Sequence, residues 1–305
     1  MKTKLFYTVF ASLSLFTSCS KDDATTPSFP DGNGNGDGDG HRTVKTSITE
    51  YDGIGPALEN ESIVTDMQAC IFEDGKMTRI YNNLVLSGNS FDIQLDKYAG
   101  TLYVLANTQE QIHLEELKSQ EITEEEWLKR CMTVKNNAPV HFYSGSVNLN
   151  HMEASQTTLP VSLKRGFARF DLQIRTAGTA SVSRITLKNA AQSGTLFSDG
   201  SAYTPQEVPV GDMSVSFDTP LATDTPAVFY AYEQANENLE ISVEAVINGK
   251  SHTLTKAFNG DIMRNTIYTI TVRQDVIDVT VEVSFDEWEE GPDTELVPHT
   301  LNSSN

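Results

Sequence analysis

Cysteine is scarce in this chain, with three residues in 305, at Cys19, Cys70 and Cys131. So few thiols exclude a disulfide framework. Cys70 and Cys131 read as small core residues, although an oxidising exterior would permit one bridge between them. Basic charge is also scarce. Lys and Arg number 22 against 42 Asp and Glu, a formal net charge of −20. Such a surface offers no basic face to replace counterions on phosphate, so nucleic acid is excluded as a partner. Beyond the start of the chain no apolar run approaches the length of a membrane span. Catalytic signatures are missing as well. His41, His113, His141, His151, His252 and His299 show no metal-ligand spacing. There is no G-x-S-x-G elbow, P-loop or dinucleotide fingerprint, and no Cys stands in a protease context. The expectation is a protein without catalytic residues, metal or cofactor.

What is present begins at the N-terminus. Lys2 and Lys4 precede an apolar run over residues 5–16, followed by the small residues Thr17 and Ser18 and then Cys19. This order reads as a signal peptide over residues 1–18. A Cys directly after small residues at that boundary resembles a bacterial lipobox, with Phe16 where Leu is usual, and makes Cys19 the candidate lipidation residue. Two or three acyl chains on one residue hold a protein firmly at a bilayer. Ser20-Lys21-Asp22-Asp23 resembles the acidic tag of lipoproteins sent to the outer face of the outer membrane. Residues 19–42 are rich in Gly, Asp, Thr and Pro and read as a lipidated flexible linker, with a reach of about 25 Å. Asp31, Asn33 and Asn35 imitate a calcium loop, but Arg42 stands where the bidentate Glu belongs.

After Arg42 the side chains alternate at period two between Gly, Asn, Asp and Pro turns, which predicts a mainly β body. Phe91, Ile93 and Leu95 form one such run, Leu102, Val104 and Ala106 another, and Ala168, Phe170, Leu172 and Ile174 a third. Each is expected to bury one face. Leu239, Ile241, Val243, Ala245 and Ile247 lead into Asn248-Gly249, a strong hairpin signal. Ile277, Val279, Val281, Val283 and Phe285 close the pattern. Residues 113–132 are the exception. Thr123 and Glu126 make a capping box opening one short helix, with Trp127 and Cys131, and Leu128 and Met132, expected on one buried face. Glu124, Glu125 and Glu126 fit its positive N-terminal end better than a catalytic pair. The length and strand count predict two antiparallel sandwiches, over residues 43–157 and 158–291, followed by a polar tail over 292–305. Trp127 and Trp288 are the residues to consider as sugar-stacking platforms, with core packing the competing role.

Several stretches together are similar to the fimbrillin family, the type V pilins and their anchor and accessory subunits. They are the lipoprotein start, Leu102-Tyr103-Val104-Leu105-Ala106-Asn107, Leu163-Lys164-Arg165-Gly166-Phe167-Ala168-Arg169-Phe170, Phe229-Tyr230-Ala231-Tyr232-Glu233 and Met263-Arg264-Asn265-Thr266-Ile267-Tyr268-Thr269-Ile270. The resemblance implies an all-β protein of two tandem transthyretin-like sandwich domains. It implies a lipid-anchored, surface-exposed fimbrial structural, accessory or anchoring subunit that supports cell adhesion. Its partners would be other subunits joined by β-strand donation, the outer membrane through lipid on Cys19, and a host or bacterial surface receptor. Arg42 is the candidate residue for processing by a trypsin-like protease, in a segment expected to be accessible. No strand is legible upstream of it, which favours an uncut anchor or accessory subunit over a stalk subunit. The competing function is a surface glycan-binding lipoprotein for polysaccharide capture.

Overall fold

The computed structural model describes residues 40–52, 55–206, 208–274 and 279–285. Cys19, the linker up to residue 39, Ile277, Trp288 and the tail over 292–305 lie outside the described residues. Alternation yields strands where it was legible, and the sheets stack in pairs. The first half comprises β1 (His41–Ile48), β2 (Met67–Glu73), β3 (Lys76–Tyr81), β4 (Ser90–Gln94) and β5 (Thr101–Ala106). It continues through α1 (Leu114–Ser119), α2 (Glu124–Leu128), β6 (Cys131–Thr133), β7 (Tyr143–Asn148) and β8 (Thr158–Arg165). Seven strands follow the order β3-β2-β5-β7-β8-β1-β4. β7 meets β8 only at Tyr143–Arg165 and Ser144–Lys164, so the sheet folds over there into two layers. Val44, Ile71, Ile93, Val104, Leu159 and Val161 fill the space between them.

The second half comprises β9 (Phe167–Thr176), β10 (Ala180–Ala190), β11 (Ser193–Thr195), β12 (Gly211–Leu221) and β13 (Thr225–Tyr232). β14 (Glu240–Ile247), β15 (Lys250–Ala257), β16 (Ile267–Gln274) and β17 (Val279–Phe285) complete it. Two four-stranded sheets, β12-β10-β14-β15 and β13-β9-β16-β17, enclose a core of Phe170, Ile185, Ile241, Val243, Ile270 and their neighbours. Asn248 and Gly249 both take positive φ, 49° and 79°, as a two-residue hairpin turn requires. Ile247 and Lys250 pair directly across it.

Four features depart from the sequence reading. The sheets are mixed, not purely antiparallel. β1 runs parallel to β8, and β9 runs parallel to β16, so each sandwich begins beside one of its last strands. The changeover between sandwiches falls at Gly166 and not between 157 and 158, because residues 158–163 pair with 43–48 of β1. A Cβ at Gly166 would lie 1.9 Å from the ring of Phe142, so only glycine fits where the backbone crosses. β5 is buried on both faces. Leu102, Val104 and Ala106 face the first core, while Tyr103 and Leu105 pack beneath the helices.

The fourth departure is the helical stretch, which forms two short helices instead of one. The capping box is present, with Glu126 N–H donating to Thr123 Oγ1 and Thr123 N–H to Glu126 Oε2. α2 nevertheless stops at Leu128, and Cys131 and Met132 enter β6, which pairs with β11. Leu128 is therefore exposed, while Trp127 alone carries the buried face. Cys70 is buried on β2, and Cys131, half-buried, donates its thiol to the Lys129 carbonyl. The two are not bridged to each other.

Candidate functional site: the joint between the sandwiches

The most unusual side chain in the described residues is Glu61, a carboxylate with 0% exposure. A 3-10 turn over Glu59–Ser62 carries it, and its Oε2 accepts the Leu58 N–H at 2.6 Å. Arg169 Nη1 donates to the same oxygen at 3.0 Å. Oε1 accepts the Tyr51 and Tyr230 hydroxyls, both at 3.0 Å. Thus a loop of the first sandwich is tied to β9 and β13 of the second. Each carboxylate oxygen takes two hydrogen bonds, which offsets the cost of removing its charge from water.

Arg165, at the end of β8, completes the joint. Its Nη1 donates to the Thr49 carbonyl at 2.6 Å and to Asn265 Oδ1 at 3.1 Å, while its Nε reaches the Glu61 carbonyl. The guanidinium groups of Arg165 and Arg169 lie 4.3 and 5.2 Å from the Tyr51 ring centroid. Arg169 is also paired with Asp171, whose Oδ1 accepts the N–H of Ala227 at the bulge of β13. Backbone bonds cross alongside. Asp52 N–H donates to Asn265 O, and Asn265 Nδ2 donates to Glu50 O. Burial, then the nearby Glu61 charge, pushes the Tyr51 and Tyr230 hydroxyls well above the usual phenol range. Tyr143, which donates to the Glu61 carbonyl, is pushed up to about 12 by burial. These hydroxyls remain donors at any physiological pH.

A second buried pair lies nearby. Arg264 Nε donates to Glu233 Oε2 at 3.1 Å, and its Nη2 and Nη1 donate to the carbonyls of Thr195 and Leu196. This arrangement holds the chain after β11 against the turn before β16. All these groups are committed to one another, so the chemistry they offer is mechanical coupling and not turnover.

His141 sits at the same junction. Its ring stacks on Phe167 with centroids 4.2 Å apart and meets the Tyr230 ring edge-on at 4.2 Å. Burial lowers its pKa from the usual 6.5, and Arg165 adds to the effect while Glu61 opposes it. In the unfolded chain the imidazole protonates as pH falls through about 6.5, whereas the folded ring resists until lower pH. Stability is therefore present above that value and is lost on acidification. We expect His141→Phe to flatten the decline of thermal stability between pH 7 and 5, by at most about 1.4 kcal/mol per pH unit at the steepest point. Parallel melting curves for the two proteins would remove His141 from the account.

Of the residues singled out in the sequence, Arg42 is the second residue of β1 and does not lie in an accessible linker. Its backbone pairs with Ile93 of β4 and its side chain is 9% exposed. The guanidinium lies 5.2 Å from the Tyr98 ring centroid and Nη1 donates to the His41 carbonyl. The phase of β1 points Arg42 to the same side as Val44 and Thr46, and its aliphatic stem is covered like theirs. Trp127 is 0% exposed and stacks among Phe72, Tyr103 and Phe197, which removes it as a sugar platform. Glu124 accepts the Tyr103 hydroxyl at 2.7 Å, Glu126 caps α2 and Glu125 pairs with Lys129. The three carboxylates have separate structural partners. The sequence reading missed Glu61, Arg165 and Arg169 as a unit, although Arg165 follows Leu159, Val161 and Leu163 in inward phase.

Fold and joint together define a protein of two mixed β-sandwiches joined through a saturated ionic hub. The chain matches the fimbrillin-A associated anchor proteins Mfa1 and Mfa2 over residues 35–291, and it belongs to that family. No curated protein matches it. Among solved structures it is similar to the tip fimbrial protein Mfa3 from Porphyromonas gingivalis, at 12% identity and a TM-score of 0.55, over 81% of this chain and 100% of that one. A fimbrial assembly protein from Parabacteroides distasonis aligns at 14% identity and a TM-score of 0.55, over 80% and 95%. A protein provisionally described as a cell adhesion protein from Bacteroides eggerthii aligns at 15% identity and 0.54, over 84% and 98%. At these identities the likeness is one of fold. The family makes the chain a fimbrial anchor or accessory subunit.

Proposed function

We propose that the protein is the uncut base of a fimbrium, lipidated on Cys19, held at the outer face of the outer membrane and joined to the next subunit by β-strand donation. The observation behind this reading is the position of β1. It pairs with β8 on one side and β4 on the other, with Arg42 covered at its start. A protease needs an extended, mobile substrate, which a central strand does not offer. Cutting after Arg42 would in any case leave Thr43–Ile48 in the sheet, so no acceptor groove would open. The C-terminal β17 pairs with β16 at the edge of its sheet and is the strand available for donation. On this reading the subunit anchors the fimbrium to the cell, and adhesion is carried by the assembled fimbrium.

Mass spectrometry of protein extracted from its native membrane tests the reading. The expected mass begins at acylated Cys19, and Cys19→Ala is expected to move nearly all the protein out of the membrane fraction, since stable anchoring needs more than one acyl chain. A mass beginning at Thr43 would instead identify a processed, polymerising subunit.

A further inference from the structure

Beside the Arg264–Glu233 pair, with Thr195 and Glu233 in its wall, a cleft of about 430 Å³ opens between the end of α2 and the chain that follows β11. Its size falls within the range of about 300–1,000 Å³ usual for small-molecule sites. Two large apolar side chains stand at its mouth, Tyr203 at 52% exposure and Leu128 at 41%. Phe197 lines the inner wall, fixed by ring contacts to Tyr103 at 4.9 Å and Trp127 at 5.7 Å. The polar side is equally ordered. Gly200 N–H donates to Ser198 Oγ, and both the N–H and the hydroxyl of Ser201 donate to Asp199 Oδ1. Those bonds hold the Asp199 carboxyl below its ordinary range and so ionised, and they leave Oδ2 with its acceptor capacity.

The mixed lining of aromatic rings and an ionised carboxylate points to the ligand class. A purely apolar ligand would strip water from Asp199 and Lys129 without replacing its hydrogen bonds. An anion would face Asp199 on a chain of net charge −20, and the Lys129 ammonium is already engaged by Glu125 at 2.6 Å. A neutral sugar matches both sides of the cleft, with an apolar C–H face for an aromatic ring and hydroxyl donors for a carboxylate. We propose that this cleft binds a neutral saccharide unit, with Tyr203 as the stacking platform and Asp199 Oδ2 accepting ring hydroxyls. This would give the subunit a recognition role of its own, independent of how it is anchored or assembled.

The test is an array of neutral oligosaccharides built from hexoses and N-acetylhexosamines, followed by calorimetry with the strongest binder. Tyr203→Ala is expected to weaken binding about tenfold, Asp199→Asn by a similar factor, and Tyr203→Phe by less than about threefold because the ring remains. Tyr203 is exposed, so unchanged melting temperatures are expected to certify the fold of each variant. Absence of binding across the array, or binding indifferent to Tyr203→Ala, would overturn the proposal.

Discussion

Glu61→Ala is expected to destabilise the fold by about 3–5 kcal/mol, the loss that follows when one partner of a buried ion pair is removed. The substitution leaves Arg169 with Asp171 as its one carboxylate partner, and it removes the acceptor of the Tyr51 hydroxyl, which is buried, and of the Tyr230 hydroxyl, which is partly buried. Because the carboxylate touches both sandwiches, the damage reaches beyond local packing. Urea unfolding followed by far-UV circular dichroism is expected to show an earlier midpoint and a broadened transition as the two halves lose their coupling. Tyr230→Phe removes a single bond to the same carboxylate and is expected to cost only about 1 kcal/mol. If the two variants unfold at the same midpoint, the ionic hub is not what joins the sandwiches.

Trp127→Ala is expected to cost a comparable amount, about 3–5 kcal/mol, by opening a cavity beneath the helices. Trp127 fills the space between Phe72, Tyr103 and Phe197, and its indole Nε1 has no hydrogen-bond partner among the described residues. That orphan makes a second variant informative. Trp127→Phe retains a ring against Phe72 and deletes the unsatisfied donor, so its expected cost is much smaller, under about 2 kcal/mol. Thermal denaturation of both proteins decides the matter. Equal losses would mean that the indole shape, and not buried volume, stabilises the helical layer.

Strands with one buried face were legible in the sequence because alternation states their phase directly. Leu239 through Ile247 with its Asn-Gly turn, and the capping box at Thr123 and Glu126, needed no tertiary information. The boundary at Gly166 was hidden for the opposite reason. Apolar residues recur from Leu159 to Ile174, and the change of sheet is marked only by Gly166 and by a slip of the apolar phase from odd positions (Leu159, Val161, Leu163) to even ones (Ala168, Phe170, Leu172, Ile174). Parallel pairing of β1 with β8 could not be read either, since period two is the same in either direction. Glu61 illustrates the deeper limit. It stands between exposed Asn60 and Ser62 in a short turn, and nothing local separates it from Glu59. Its burial is imposed by Arg169 and Tyr230, which lie 108 and 169 residues further along the chain. The end of α2 belongs to the same class, because the pairing of residues 131–133 with 193–195 overrides the helical spacing from Trp127 to Cys131.

The parallel pairing of β1 with β8 has a consequence for an attached subunit under tension. The chain enters β1 at His41 and leaves β8 at Arg165, at opposite ends of two strands that run side by side in the same direction. A pull between the start of β1 and the second sandwich is therefore directed along the strands, and it loads their interstrand hydrogen bonds together in shear instead of peeling them one at a time. β9 and β16 repeat the geometry in series.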